Sequence, residues 1–600
     1  MKKNITTSWR GFCWRAVVAR SLIAISATGI APAEVENELA TIIVSALRTP
    51  REAGDVTSTV TVLDPRELEK RSMGQLRDAL NESPGVIATS TGGETGALGS
   101  VFIRGTNTAS SQLVVDGMRL SDSTTPLGNM LSAARVFDLG RIEVLRGAQG
   151  AAYGGESIGG VLWMETARGS GKPQGTFVVE AGSFDSFSTA LRYQGEKNDL
   201  SYFFSAAYEE TANDAPQQDF HQGSSALRLE QKIDAQWQAG MTYRGVDSFY
   251  ENRGQSDDRL DASLVTVYLN GQINSDWKTT VLAGFQQEFY DSDSLYGNYG
   301  TDMRATSLSN DHEWRIRENV TLLGGVFVHR SDFHNTINTS EQRDRYGLHL
   351  GVEWEPLADW KTYAAWRWED YDAYGDESTW RIGSSYEIKS TGTILRTGLG
   401  SSFRAPSFLD LFGSTFGAGN PNLKAESSLG WDIGVEQELG KDHRLIVTVF
   451  HNAIEDRIDS FAKPMPVNLP GETHTEGLEF ALNGRFFDDT WRYRIAWTYL
   501  PQSLSDQPRH HVQAGLDWQA SENLLLGVGL HSLSDHSWGG SPIDSYAVGR
   551  MHASYQLREN IRLQARWENF TDESYLLSDF YGDTIRAAGS AVYAGITVDW

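Results

Sequence analysis

Residues 141–166 read RIEVLRGAQGAAYGGESIGGVLWMET, a stretch that places six glycines among short apolar runs. Glycine at this density either lets the backbone turn and approach other backbone closely, or forms a loop that cradles a phosphate. A phosphate loop requires Gly-Lys-Ser/Thr at the start of a helix, whereas the residues after Gly160 read VLWMET, which is typical of a strand. We therefore interpret this stretch as closely packed backbone and not as a nucleotide site.

The region that follows, residues 171–600, alternates apolar and polar side chains with the two-residue period of β-strands. For example, residues 491–500 read WRYRIAWTYL, with aromatic and apolar side chains on one face and arginine, alanine and threonine on the other. A soluble β-sandwich shows the same alternation. Aromatic residues at strand ends, the low mean hydropathy and the aromatic last residue, Trp600, favour a transmembrane barrel whose last strand pairs with its first.

Residues 1–33 have the composition of a secretory signal, with basic residues first, an apolar stretch over 21–30 and the small-x-small sequence APA at 31–33. The apolar stretch is too short to form a spanning helix. The only cysteine of the sequence, Cys13, lies inside this segment. We therefore expect an exported protein whose mature form has no thiol, disulfide or cysteine-bound metal.

The sequence is acidic, with 52 Lys and Arg residues against 78 Asp and Glu residues and a formal net charge of −26. Such a surface repels nucleic acid, so we expect no nucleic-acid partner. The charge is compatible with a soluble acidic secreted protein. It is equally compatible with an extracellular rim that meets outer-membrane lipid and anionic lipopolysaccharide through bound divalent cations.

Four zones follow one another along the chain. We predict a signal peptide at 1–33, a periplasmic leader at 34–50, a mixed α/β domain at 51–170 and a strand-rich domain at 171–600. In the mixed domain, the apolar spacing over 65–80 predicts a short amphipathic helix. The runs VTVL, GVIATS, VFIRG, QLVVDG and RIEVLRG predict short strands around it.

Several segments resemble those of TonB-dependent outer-membrane receptors, over nearly the whole mature chain. In the mixed domain these are 102–105 (FIRG), 113–120 (LVVDGMRL) and 141–147 (RIEVLRG), although Ala148 and Gly150 stand where proline and serine are more usual. The strand-rich domain contributes FRAPSFLDLF from Phe403, GNPNLKAES from Gly419, EGLEF from Glu476 and NFTDESY from Asn569. The resemblance implies a transmembrane β-barrel of about 22 antiparallel strands with a small α/β plug domain inside its lumen. It also implies that the protein is located in the outer membrane of a Gram-negative bacterium.

A short β-branched segment lies in the polar leader and consists of Thr41, Ile42, Ile43, Val44, Ser45 and Ala46. An extended, unpaired segment of this kind offers main-chain hydrogen bonds to the sheet edge of a partner. The first strand of the mixed domain would have the same composition. The segment resembles the TonB box, and that resemblance implies a TonB-type energy-transducing protein as partner.

Two plug arginines, Arg104 and Arg146, each follow a predicted strand. Guanidinium groups in a barrel lumen pair well with carboxylates that are away from bulk water. The resemblance implies Glu479 and Asp432 of the barrel as partners, the latter an aspartate where glutamate is more usual. We expect these four residues to latch the plug; ordinary surface ion pairs are the alternative.

Two segments of the mixed domain, 92–100 and 121–130, are rich in glycine and hydroxyl groups. They would present hydrogen-bond donors to a large polar ligand, or would only form flexible turns. Within them, we expect ligand contacts from Ser121, Asp122, Ser123, Thr124, Thr125 and Asn129.

Acidic residues at 256–261 and 291–302 are predicted to lie in long barrel loops. Their oxygen atoms are ligands that suit calcium, although DSDSLYG lacks the spacing of an EF-hand loop; solvated loops are the alternative. Beyond such calcium we expect no cofactor, and the sequence assigns no metal site.

The sequence contains neither HExxH nor GxSxG, and we expect no enzymatic activity. The resemblance implies active import of a scarce, bulky nutrient by a monomer. The spacing of LVVDGMRLSDS, FRAPSFLDLFG and NLPGETHTEGLEF is most similar to the cobalamin receptor subgroup, so cobalamin is the favoured substrate. A ferric siderophore is the alternative substrate, and a signalling transducer, a passive porin or an adhesin are alternative classes.

Overall fold

The structure, a computed structural model, describes residues 42–43, 50–90, 95–120, 134–295, 297–337, 339–372, 374–414, 417–460, 462, 464–504, 507–538, 541–580 and 583–600. Contacts join the described residues from Ile42 to Asp599 into one compact unit. Within the described ranges, none of the helices is both long and apolar enough to cross a membrane.

The N-terminal part of this unit is a small α/β domain. Its main sheet has five strands, with one parallel pair among antiparallel neighbours. The strands of the domain are β1 (Ile42–Ile43), β2 (Arg51–Glu52), β3 (Val60–Leu63), β4 (Val86–Ser90), β5 (Gly99–Ile103), β6 (Ser111–Val115), β7 (Met118–Leu120), β8 (Leu139–Arg146) and β9 (Gly160–Thr166). Its helices are α1 (Pro65–Lys70), α2 (Leu76–Leu80) and α3 (Gly150–Tyr153), with 3₁₀ turns at Ala53–Asp55 and Thr108–Ser110.

The order of strands in the main sheet is β3-β8-β9-β6-β7, and β4 pairs separately with β5. Apolar side chains of the sheet, such as Val144 and Leu162, pack against Leu68 of α1 and Leu76 of α2 to form the core of this domain. The five strand runs predicted from the sequence are confirmed.

The prediction of one helix over 65–80 is wrong, because two short helices occupy this stretch. Helix α1 begins after Asp64, whose carboxylate accepts a hydrogen bond from the Arg66 amide at 2.8 Å. It ends before Ser72, which has a φ of 56°. This left-handed conformation cannot continue a right-handed helix. The break keeps Leu68 and Leu76 facing the same core.

The rest of the chain forms a closed antiparallel barrel of 22 strands, counted over the described residues. Short two-stranded sheets and helix α4 (Phe408–Phe412) lie in its connections. The 22 barrel strands are β10 (Gln174–Gly182), β11 (Ser186–Lys197), β12 (Leu200–Thr211), β13 (Phe220–Lys232), β14 (Trp237–Asn252), β15 (Ser256–Asn274), β16 (Trp277–Ser294), β17 (Tyr299–Arg317), β18 (Val320–Asn335), β19 (Ser340–Leu357), β20 (Trp360–Tyr371), β21 (Gly375–Ile388), β22 (Thr393–Arg404), β25 (Glu426–Glu438), β26 (His443–Glu455), β29 (Glu472–Phe486), β30 (Trp491–Gln502), β31 (His510–Ser521), β32 (Leu524–Ser534), β35 (Tyr546–Arg558), β36 (Ile561–Glu568) and β39 (Ala591–Asp599). The short strands of the connections are β23 (Gly413–Ser414), β24 (Gly417–Ala418), β27 (Ile458–Asp459), β28 (Val467–Asn468), β33 (His536–Trp538), β34 (Ser541–Ile543), β37 (Leu576–Phe580) and β38 (Asp583–Arg586).

Closure is made by the last strand, β39, which pairs with the first barrel strand, β10, from Thr176↔Asp599 to Gly182↔Tyr593. No strand edge of the barrel is therefore left open at this seam among the described residues. The predicted alternation is confirmed in β30, where Ile495 is 38% exposed while Ala496 and Thr498 are 8% and 2% exposed. Apolar side chains face outward, as an outer-membrane barrel requires.

The two ends of the barrel differ in their connections. Chain reversals at one end are tight, as between Lys197 and Leu200, whereas the opposite end carries long ones, such as Arg404 to Glu426. Outer-membrane barrels have short periplasmic turns and long extracellular loops. The end with long connections is therefore the extracellular end.

The acidic stretches at 256–261 and 291–302 were expected in loops, and this expectation is wrong for most of their residues. Strand β15 begins at Ser256, and Asp258 pairs with Ser292 of β16. Strand β15 has 19 residues, whereas β36 has 8. About ten residues suffice to cross the membrane, so the longer strands extend beyond it as paired hairpins. Outside the membrane, strand pairing still supplies hydrogen-bond partners for the backbone N–H and C=O groups.

Candidate functional site

The contact between Arg104 and Glu479 joins the plug to the barrel. Arg104 follows β5, and its guanidinium donates two hydrogen bonds to the Glu479 carboxylate, Nε to Oε1 at 2.8 Å and Nη2 to Oε2 at 3.0 Å. The guanidinium also lies 4.7 Å from the ring centre of Phe450. Both charged side chains are buried. Burial alone would lower the pKa of Arg104, but the Glu479 carboxylate outweighs it and raises this pKa.

Arg146 lies beside this pair but is less well satisfied. Its guanidinium is 3.5 Å from Glu479 Oε2 and donates hydrogen bonds to the Pro84 carbonyl at 2.5 Å and to Thr61 Oγ1 at 3.0 Å. Among the described residues its buried Nε has no hydrogen-bond partner. Burial, which disfavours the charged form, lowers the pKa of Arg146. Arg146 therefore ties strands of the plug together as much as it ties the plug to the barrel.

Asp432 of β25 accepts a hydrogen bond from Thr59 Oγ1 at 3.1 Å. Its Oδ1 lies 3.9 Å from Arg104 Nη1 and 3.8 Å from Arg381 Nη2. The structure thus brings the four residues predicted from the sequence into one buried cluster, which also contains Thr59 and Arg381.

Two glycines allow the plug backbone to come this close to the charges. Gly85 has a φ of +74°, and a Cβ built there would lie 2.1 Å from Glu479 Oε1. Gly147, with a φ of +84°, would place a Cβ 2.9 Å from Arg104 Nη1. The amide of Gly85 also donates a hydrogen bond to Thr498 Oγ1 at 2.7 Å. The cluster therefore depends on backbone positions that lack a side chain.

Barrel arginines that the sequence reasoning missed also hold the plug. Arg381 donates a hydrogen bond to the Ala148 carbonyl at 3.0 Å, and Arg367 donates one to the Ala152 carbonyl at 3.4 Å. Arg396 donates to the carbonyl groups of Val56 and Ala53 at 3.0 and 2.9 Å. The sequence signal for such residues is an arginine at a lumen-facing position of a strand whose side chains alternate between lipid and lumen. This alternation does not identify the plug carbonyl group to which each arginine donates.

The predicted TonB box is described only at Ile42 and Ile43; Thr41, Val44, Ser45 and Ala46 lie outside the described residues. Ile42 and Ile43 form β1, which pairs antiparallel with Glu52 and Arg51 of β2. Ile43 is buried against the plug. In this state the two residues are therefore paired, as in the alternative interpretation of the segment as a first strand of the mixed domain. Their role as part of a TonB box stays a prediction.

Arg51, the partner of Ile43, connects this strand pair to the barrel. Its Nε donates to both oxygens of the Glu353 carboxylate at 3.2 Å, and its Nη1 donates to Glu313 at 3.4 Å. The pairing of Ile42 and Ile43 with β2 is thus stabilised by barrel carboxylates close to the periplasmic end.

The ligand contacts expected from Ser121, Asp122, Ser123, Thr124, Thr125 and Asn129 lie outside the described residues. Among the residues that the structure does describe, no group of three or more His, Asp or Glu side chains is arranged to hold a metal ion. The expectations for ligand contacts and for calcium therefore stay predictions.

Family models match both parts of this architecture. The model described as "TonB dependent receptor-like, beta-barrel" matches residues 149–570, and the "TonB-dependent Receptor Plug Domain" matches residues 52–161. Together they cover the plug, the predicted latch cluster (Arg104, Arg146, Asp432 and Glu479) and most of the barrel.

Curated relatives and solved structures extend the comparison. The chain is 25% identical to the vitamin B12 transporter BtuB of Vibrio vulnificus, over 93% of this chain and 94% of that protein. It is 23% identical to BtuB of Photobacterium profundum, over 90% of this chain and 93% of that protein.

The solved structures that it resembles share its fold at lower identity. The siderophore receptor PiuA of Acinetobacter baumannii has a TM-score of 0.78 at 14% identity, with 93% of this chain and 98% of that chain covered. A ferric enterobactin receptor mutant (PfeA) of Pseudomonas aeruginosa has a TM-score of 0.77 at 17% identity, with 90% and 99% covered. The chain belongs to the TonB-dependent receptors, transport proteins of the outer membrane of Gram-negative bacteria in which a plug domain lies within a 22-stranded barrel.

Proposed function

We propose that this receptor imports cobalamin across the outer membrane. The supporting observation is its similarity to two vitamin B12 transporters, which extends over at least 90% of the chain in both cases. The siderophore receptors resemble it at 14–17% identity, a level at which the likeness concerns the fold. Cobalamin is therefore the favoured substrate, and a ferric siderophore is the alternative.

The latch cluster and the paired box suggest how import is driven. In the resting state Arg104 and Glu479 hold the plug, while Arg51 holds the strand pair that contains Ile43. Ligand binding outside would favour a plug conformation in which residues 41–46 are released to the TonB-type partner. Such coupling requires that the ligand bind this released state more tightly than the resting state.

Arg146 offers a test of the latch. Truncation by Arg146→Ala removes the contact with Glu479 and two hydrogen bonds within the plug, so protease resistance of the plug should fall. Unchanged protease resistance together with unchanged transport would refute a latch role for this cluster.

Equilibrium binding distinguishes the two substrates. The purified full-length receptor in detergent is titrated with cyanocobalamin and, separately, with ferric enterobactin. Saturable tight binding of cyanocobalamin alone is the expected result. Binding of ferric enterobactin without cyanocobalamin binding would replace the proposed substrate with a siderophore, and would leave the assignment to the receptor family unchanged.

A further inference from the structure

Two histidines of neighbouring barrel strands, His511 of β31 and His531 of β32, lie on the lumen side near the extracellular end. The chain reversal between these strands, from Ser521 to Leu524, is tight and therefore periplasmic, so His511 lies at the opposite end of β31. In the register of the two strands, His531 lies opposite Gln513 and diagonal to His511. Diagonal neighbours of an antiparallel pair are within reach of aromatic side chains. The register therefore brings the two imidazole rings and the Gln513 amide together.

Three polar groups meet at the Nε2 atom of His511. His531 Nε2 lies 2.9 Å from this atom, and Gln513 Nε2 lies 2.8 Å from it. The two imidazole rings are nearly perpendicular, at 86°, with their centres 4.9 Å apart. A neutral imidazole nitrogen has either one proton or one lone pair, so His511 Nε2 fully satisfies only one of its two neighbours. Hydrogen bonds within the protein therefore leave this meeting point under-satisfied.

The amide oxygen of Gln513 adds a further acceptor. This oxygen is buried, and no described residue donates a hydrogen bond to it. Rotation of the amide group exchanges its oxygen and nitrogen, so either atom can face His511. His511 is itself only 2% exposed, so bulk water reaches little of it. A partner that accepts an electron pair from each of the two imidazoles and from the amide would satisfy all three groups.

A divalent transition-metal ion is such a partner, because imidazole nitrogen suits copper, nickel and zinc. With metal–nitrogen distances of about 2.0–2.1 Å, two nitrogens at about 90° on a metal are about 2.9 Å apart, whereas two tetrahedral ligands are about 3.3 Å apart. The 2.9 Å between the Nε2 atoms of His511 and His531 matches the 90° arrangement. Square-planar and octahedral ions such as Cu²⁺ and Ni²⁺ have this arrangement, and tetrahedral Zn²⁺ does not.

The histidine pair borders a cavity of about 780 Å³ between the plug and the barrel wall. His531 lines this cavity, as does Asp78 of helix α2 in the plug, and the Asp78 carboxylate acts electrostatically on His531. The Asp78 side chain is 46% exposed and makes a 3.4 Å contact with Arg77. Two further arginines of the lining, Arg494 and Arg550, are paired with barrel carboxylates. The cavity therefore supplies water and a nearby negative charge to a cation at the pair.

We propose that His511 and His531 form a binding site for a divalent transition-metal ion that prefers ligands at about 90°, either Cu²⁺ or Ni²⁺. The Gln513 oxygen is the third protein ligand, and water from the cavity occupies the remaining positions. The site contains two histidines and an amide, so it is smaller than the groups of three His, Asp or Glu side chains that the described residues lack. The proposal is independent of which nutrient the receptor imports.

His510 provides a matched control position. It precedes His511 in β31 and therefore points to the opposite, outer face of the barrel. There, Trp497 Nε1 donates a hydrogen bond to His510 Nδ1 at 3.3 Å. His510→Gln, His511→Gln and His531→Gln each remove one imidazole and keep a polar side chain. The comparison therefore separates the lumen-facing pair from a histidine of the same strand that lies outside the site.

The first measurement counts the nitrogens bound to copper. The full-length receptor, purified in detergent without a polyhistidine tag, is titrated with Cu²⁺ at neutral pH and followed by electron paramagnetic resonance and calorimetry. The wild type and His510→Gln should bind one equivalent tightly, with two bound nitrogens. His511→Gln and His531→Gln should each lose one nitrogen and bind Cu²⁺ at least about tenfold more weakly.

Two outcomes would overturn the proposal. A wild-type spectrum without two bound nitrogens would mean that His511 and His531 form only a hydrogen-bonded pair, and this result requires no variant to fold. Binding of Cu²⁺ by His531→Gln as tightly as by His510→Gln would place the copper elsewhere.

The second measurement tests the geometry of the site. The wild-type receptor is titrated separately with Ni²⁺ and with Zn²⁺, and the two dissociation constants are compared. Ni²⁺ should bind more tightly, because the 2.9 Å separation of the two nitrogens suits ligands at about 90°. Tighter binding of Zn²⁺ would indicate a tetrahedral site and would contradict the proposal.

Discussion

Arg104 and Glu479 are 375 residues apart in the sequence, yet they share two hydrogen bonds of 2.8 and 3.0 Å inside the barrel. Both side chains are buried, so each charge depends on the other for compensation. The barrel closes around a domain of the same chain, so part of the interface between barrel and domain is shielded from water. Within this shielded interface, the protein places the positive charge of Arg104 next to the negative charge of Glu479.

The Arg104→Ala change should loosen the plug more than any exposed ion-pair mutation. Removal of one partner of a buried pair costs about 3–5 kcal/mol, because the Glu479 carboxylate is left uncompensated. We expect faster proteolysis of the plug and a lower urea midpoint for its unfolding. Lys70→Ala is the control, since the Lys70–Glu67 pair is about half exposed and should be worth under about 1 kcal/mol. Equal effects of the two changes would contradict the latch.

Gly85→Ala should disrupt the latch through steric contact. The added Cβ would lie 2.1 Å from Glu479 Oε1, at a φ of +74° that already disfavours alanine. Gly171→Ala is the matched control, because Gly171 has a φ of +65° and a Cβ there would meet nothing within 4 Å. The difference between their urea midpoints isolates the clash from the backbone strain. No difference would mean that Glu479 moves aside freely.

Arg51→Ala should release the predicted TonB box. The change removes the contacts of β2 with Glu353 and Glu313, and the strand pair that holds Ile43 is only two residue pairs long. In an Ile43→Cys background, the thiol should react slowly with a water-soluble maleimide and much faster once Arg51→Ala is added. Arg66→Ala serves as a control change of a plug arginine outside this contact. Equal labelling rates in all three variants would show that Arg51 does not control the box.

Acidic pH should lower the stability of the folded plug, in part because it protonates Glu82. Burial alone would raise the pKa of Glu82, but its ion pair with Arg71 outweighs burial and holds this pKa below its ordinary range. The pair therefore stabilises the folded plug above the pKa of an unfolded glutamate, about 4.3, and this contribution is lost as the pH falls through the lower folded value.

The Glu82→Gln variant tests this pH dependence. Wild-type and variant receptors are unfolded in urea at neutral pH and at a series of acidic values. The wild type should be the more stable at neutral pH, and the gap should narrow as the pH falls below about 4. A constant gap across the series would assign the stabilisation to packing instead of charge.

Local sequence patterns predicted those structural features that depend on residues close together in the sequence. The two-residue alternation of β30 follows from one lipid-facing and one lumen-facing side, so the exposure of Ile495 and the burial of Thr498 were foreseeable. The pairing of Arg104 with Glu479 came instead from the resemblance to a family. Composition near either residue does not reveal a partner several hundred positions away.

Other features depend on tertiary contacts that periodicity does not encode. The break at Ser72 leaves the apolar spacing over 65–80 intact, so one helix and two helices give the same pattern. The acidic start of β15 reads as a loop, because its strand character comes from pairing with β16. Arg381 was missed because its partner is the backbone carbonyl of Ala148, which any residue supplies.

Uptake of radiolabelled cyanocobalamin tests the central claim most directly. The receptor is expressed in a Gram-negative strain that lacks its own cobalamin receptor, with and without a functional TonB protein. We predict saturable uptake that disappears when TonB is absent or when the proton-motive force is dissipated, while binding at the cell surface persists. Uptake that continues without TonB, or cells that import only ferric siderophores, would contradict the account.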